Sequence, residues 1–106
     1  MKYRFKFGRG QKVIISDNKT FDDLGYAILK KYGITPEHLY SFRFSNGECT
    51  TSAMPFGFFG GFDDGMGTVP IETKLKDRKM EIGEVLILAY DYASDWEKKI
   101  KLDGFE

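Results

Sequence analysis

The sequence predicts one domain of the α+β class, on three observations. Period-two alternation marks both ends of the chain, a single helical stripe lies between them, and one short run near the C-terminal end is apolar at every position.

At the start, Tyr3, Phe5 and Phe7 alternate with Lys2, Arg4 and Lys6, the pattern of a half-buried strand. Gly8, Arg9 and Gly10 form a turn, because glycine takes positive φ without steric cost. Residues 12–16, with β-branched Val13, Ile14 and Ile15, complete a hairpin. Thr20 then stands three residues before Asp23, an approximate capping box. Phe21, Leu24, Ile28, Leu29 and Tyr32 follow at helical spacing. Asp22 and Asp23 open this helix and Lys30 and Lys31 close it, each matching the sign of the macrodipole end beside it. Gly33 is placed to stop it.

Residues 35–38 suit a short helical turn, and residues 39–44 a third strand carrying Tyr40, Phe42 and Phe44 on one face. No period holds from 45 to 70, a length at which loops become functional or unstructured. A further helical turn is expected over 73–77 and a tight turn at Gly83 and Glu84. Residues 85–92 form a strand with both alternating sets apolar, so burial on both sides is expected. One helix covers one face, which leaves Phe56, Phe58, Phe59 and Phe62 of the long loop to cover the other. The last strand, 96–102, returns to alternation, with Trp96, Ile100 and Leu102 against Glu97, Lys99 and Lys101. The order β-β-α-β-(long loop)-β-β fits a β-grasp-like (ubiquitin-like) mixed sheet under one main helix. A hairpin appended to another small α+β layout is the competing topology.

Composition narrows the function. Sixteen basic and sixteen acidic residues cancel across 106 positions, whereas nucleic-acid binders usually show a basic excess. The single cysteine, Cys49, excludes an internal disulfide and a cysteine-cluster zinc site, and suits a reducing cytosol. The first residues have no continuous apolar run of signal-peptide type, and no stretch approaches the ~20 apolar residues of a membrane span. A cytoplasmic protein is the expectation.

Candidate chemistry is sparse. Asp91, Tyr92, Asp95 and Trp96 flank the final turn and combine acceptors with a large apolar surface and an N–H donor. The plainer reading, which is favoured, is that Ser94 and Asp95 shape the turn while Trp96 fills the core rim. His38 is the sole histidine, and Glu37 beside it does not orient it as a base. Asp63 and Asp64 match no calcium-loop spacing, and the glycines at 57, 60, 61, 65 and 67 lack the Lys-Ser/Thr of a phosphate loop. No cofactor or metal is expected. Lys2, Arg4, Lys6, Lys99 and Lys101 form a basic stripe for a polyanion if the first and last strands pair, although lysine on strands also keeps sheet edges from aggregating.

The segments T-F-D-D-L-G-Y-A-I-L-K-K-Y-G-I, P-E-H-L-Y-S-F-R-F and G-E-V-L-I-L-A-Y-D-Y-A-S-D-W-E-K-K-I together resemble the Ri-plasmid ORF-three-like (pRiA-type) family, which recurs with plasmids and transposable elements. The positions carried over are His38, Leu39, Phe42, Tyr90, Asp91, Tyr92, Trp96 and Glu97. Ala93 and Ser94 replace the family's Gly-Asp, and Lys98 replaces its final His, so chemistry that needs those groups does not transfer.

The functional expectation is a small non-enzymatic module for a protein or peptide partner, with binding residues drawn from Asp91, Tyr92, Asp95, Trp96, His38, Tyr40 and Phe59. The cleft between the long loop and the final hairpin is the expected site. The alternatives are a nucleic-acid-associated protein of a mobile element and, more remotely, a metal-dependent enzyme using Asp91, Asp95 and His38.

Overall fold

The computed structural model describes residues 1–34, 40–51, 69–90 and 96–106. Its elements are β1 (Lys2–Phe7), β2 (Gln11–Ser16), α1 (Phe21–Lys31), β3 (Tyr40–Arg43), a 3-10 turn (Leu75–Asp77), β4 (Val85–Tyr90) and β5 (Trp96–Phe105). One five-stranded sheet has the order β2-β1-β5-β4-β3. Every neighbouring pair is antiparallel, including β1 with β5, so the expected mixed sheet is corrected. Alternation carries no strand direction, and reversing a strand preserves its apolar face.

In this order β2 and β3 occupy opposite edges and run the same way, so the chain must return between them. The eleven residues of α1 do this. A helix that long spans about 16 Å, close to the roughly 19 Å of the sheet from edge to edge, and α1 packs against both edge strands, β2 and β3. Phe21, Leu24, Ile28 and Leu29 of α1 are fully buried against Phe5, Phe42, Leu86, Leu88, Ile100 and Leu102 of the strands.

Both helix ends close as the sequence dictates. The Thr20 hydroxyl accepts from the Asp23 amide at 3.1 Å, and the Asp23 carboxylate accepts from the Thr20 amide at 3.1 Å. The amides of Phe21 and Asp22 donate to the carbonyls of Thr73 and Ile71, satisfying two more donors of the first turn. At the other end Gly33, φ +75°, donates to Lys30 and Ile34 donates to Leu29, the paired bonds of a Schellman stop.

Two expectations about the last strands change. The inner face of β4 is core, with Leu86, Leu88 and Tyr90 buried, but Val85 is 37% exposed and Ile87 and Ala89 are only half-buried. The outer face therefore does not form a second core at Val85. Its cross-strand neighbours there are charged: Lys101 beside Val85, Lys99 and Arg43 beside Ile87, and Glu97 beside Ala89. The aromatic loop expected to cover this face lies outside the described residues. Strand β5 also runs on to Phe105 through a bulge at Asp103 and Gly104, where the register with β1 shifts. Both bulge residues oppose Arg4, and a Cβ at 104 would lie 2.6 Å from its guanidinium, so a larger residue there would displace the end of that side chain.

Candidate binding edge and surfaces

Three parts of the surface compete as the functional site: an aromatic rim, a basic face and an open sheet edge. At the rim, Trp96 is half-buried and stands edge-on to Tyr32 at 5.5 Å and to Tyr90, its cross-strand partner, at 6.1 Å. The Lys98 ammonium lies 5.6 Å from the Trp96 ring centre and 5.5 Å from that of Tyr32. Tyr40, cross-strand from Tyr90 on the same face of the sheet, lies deeper. It is 5% exposed, and its hydroxyl donates to the Asp22 carboxylate on α1. Burial, with that carboxylate second, drives its phenol pKa far above the ordinary value. Tyr40 thus braces the helix and offers little surface to a ligand. His38, Phe59, Asp91, Tyr92 and Asp95 lie outside the described residues, as do Asp63 and Asp64.

The basic stripe is brought together, and is then partly neutralised. Lys6 stands opposite Lys101 on β5 and opposite Lys12 on β2, so three lysines form a row across three strands. Arg4 is held elsewhere: its Nε donates to Asp103 at 2.8 Å and its Nη1 to Glu106 at 3.2 Å, while Lys6 Nζ reaches Asp103 at 3.5 Å. Hydrogen bonding from Arg4 lowers the Asp103 pKa, and the same bond raises that of Arg4. Lys2 and Lys99 stand apart from the row, opposite Ser16 and Ile87.

The two edges of the sheet differ. At β3 the outward groups are occupied: the Phe42 amide donates to Thr50 Oγ1 at 2.9 Å, the Phe42 carbonyl accepts from the Thr50 amide at 2.8 Å, and Phe44 donates to Glu48 at 2.7 Å. Thr50, 2% exposed, is the buried polar residue that seals this edge. At β2 there is no such seal among the described residues. Lys2 and Glu106 exchange both backbone bonds across β1 and β5, which fixes the alternation along β1. Tyr3, Phe5 and Phe7 consequently bond to β2, at Ile15, Val13 and Gln11. The amides and carbonyls of Lys12 and Ile14 are left pointing away from the sheet.

Beside that open edge runs a groove of about 740 Å3 between β2 and α1, lined by Lys12, Val13, Ile14, Ala27, Lys30 and Lys31. Its floor is aliphatic and its rim is basic. A second hollow of about 700 Å3 includes Arg78, Glu81 and Glu84, but there the guanidinium already donates to Glu84 at 3.1 Å and covers the Phe44 ring at 3.7 Å.

The sequence marks residues 12–16 as a strand, yet nothing local says that this strand is an edge, that Lys12 and Ile14 border a groove, or that α1 runs beside it. Among the described residues no three His, Cys, Asp or Glu side chains cluster closely enough to hold a metal ion, and no helix is long and apolar enough to cross a membrane. Searches of protein-family models, of curated proteins and of solved structures find no match to this chain.

Proposed function

We propose that the protein is a binding module with no catalytic role, which takes an extended peptide segment onto the edge of β2 as a sixth strand. The observation that carries this reading is the asymmetry of the edges: Thr50 seals β3, while the Lys12 and Ile14 backbone groups of β2 face a groove. An added strand obtains its affinity from main-chain hydrogen bonds and its selectivity from alternate side-chain positions, and the β2 edge with the adjoining α1 groove supplies both. The single cysteine fits a cytoplasmic setting for such a module.

The test is selection from a displayed library of random seven-residue peptides, followed by nuclear magnetic resonance mapping of a selected peptide. Shift changes centred on the Lys12 and Ile14 amides, abolished in Ile14→Pro, support the reading. Proline is tolerated on an edge strand where the lost N–H faced outward, so this variant removes the docking donor and retains the fold. Binding that persists in Ile14→Pro rejects it.

The row of Lys12, Lys6 and Lys101 favours a second reading, association with nucleic acid. That reading requires an electrophoretic shift whose affinity falls with salt at a log–log slope of about −0.9 per phosphate contacted. No shift at micromolar protein in low salt eliminates it.

A further inference from the structure

We infer that the segment accepted at the β2 edge is acidic, with carboxylates alternating with small aliphatic side chains; this rests on the edge reading above. An incoming strand has two faces. On the solvent face its side chains meet Lys12, which itself stands beside Lys6. On the groove face they meet Val13, Ala27 and the lysines of the last helical turn, Lys30 and Lys31. Among the described residues none of Lys12, Lys30 and Lys31 forms an ion pair, in contrast to Arg4, Arg43 and Arg78, each held by at least one carboxylate.

Like charges directly opposite one another weaken a sheet. The pair Lys12 and Lys6 imposes such a repulsion on β1 and β2, with Asp103 the one carboxylate among the described residues within reach of Lys6. A carboxylate placed beside Lys12 by an added strand relieves it. On the other face Ala27, half-buried, leaves room for a valine-sized group between the helix and the strand edge. A second copy of the chain is a poor occupant, because edge-to-edge pairing of two β2 strands brings together two edges whose surroundings, among the described residues, carry lysines and no carboxylate.

The experiment uses two labelled six-residue probes, one of alternating glutamate and valine and one of alternating lysine and valine, in fluorescence anisotropy with the whole protein. The glutamate probe is expected to bind at least tenfold more tightly, to lose that binding in Ile14→Pro, and to lose its advantage in Lys12→Glu/Lys30→Glu. The double variant changes only exposed positions, and a thermal melt verifies its fold. Equal binding of both probes, abolished by Ile14→Pro, overturns the acidic preference and leaves the edge reading standing. Failure of both probes, or glutamate-probe binding that survives Ile14→Pro, overturns the edge reading itself. A sedimentation-measured dimer of wild type that becomes monomeric in Ile14→Pro assigns the edge to a second copy and rejects the proposal.

Discussion

A Cβ built on Gly25, in the middle of α1, falls 2.7 Å from Cε2 of Tyr40 and 2.9 Å from its Cδ2. This glycine sets how closely the helix approaches the sheet. Alanine is the better helix former by about 1 kcal/mol. At this position the added methyl meets a ring that has nowhere to move, being 5% exposed and tied through its hydroxyl to Asp22. Gly25→Ala is therefore expected to destabilise by roughly 1–3 kcal/mol, the usual cost of overpacking. Chemical denaturation measures it, and a stabilised variant contradicts the packing.

Tyr40, which is buried, and Tyr32, which is half-buried, are expected to respond oppositely to loss of the hydroxyl. Tyr40 donates to Asp22, so Tyr40→Phe should cost about 1–2 kcal/mol. Tyr32 Oη is buried with no hydrogen-bond partner among the described residues, so Tyr32→Phe should be neutral or stabilising. Alkaline pH acts on both in the same direction, since burial raises the Tyr32 phenol as well, but the shift is larger at Tyr40. The Tyr40 pKa is raised on folding, so the stability it contributes is intact below about pH 10, the ordinary phenol value, and declines as pH rises beyond it. Melts of the two variants across that range provide the check.

Thr50→Val should destabilise by about 1–3 kcal/mol, because it strands the Phe42 amide at a buried site while preserving shape. Thr50→Ser keeps the acceptor and should stay closer to wild type. A neutral Thr50→Val would mean that β3 is not sealed by this bond.

Arg4 and Asp103 give a pH dependence of known sign. The Asp103 carboxylate is lowered on folding, chiefly by the Arg4 hydrogen bond, so its contribution is present above its unfolded value of about 3.9 and disappears as pH falls through the folded pKa. The melting-temperature gap between wild type and Asp103→Asn should be open at neutral pH and closed in strong acid. A gap independent of pH contradicts the assignment.

What the sequence discloses here is local. Thr20 with Asp23, Gly33, and the alternation of Tyr3, Phe5 and Phe7 each act within a few residues of themselves, and each forms as read. Direction and neighbourhood are not local. The antiparallel pairing of β1 with β5 and the bulge at Gly104 depend on partners about a hundred positions apart, such as Arg4 and Asp103. The apolar outer positions of β4 suggest a second buried face, but Val85 and Ile87 sit beside lysines contributed by β5. The same distance hides the candidate edge. The β-branched run at 13–15 reads as a strand, but that Lys12 and Ile14 border a groove depends on α1, and that β2 is the open edge depends on Thr50 closing the other. Of the residues favoured for binding, Trp96 lies on a rim and Tyr40 in the core.

The open β2 edge is tested most directly by amide hydrogen exchange of the free protein. Lys12 and Ile14 should exchange rapidly, Val13 and Ile15 slowly, and Phe42 slowly because Thr50 accepts its proton. Slow exchange at Lys12 and Ile14, equal to that of Val13, would show the edge already occupied and would contradict the account.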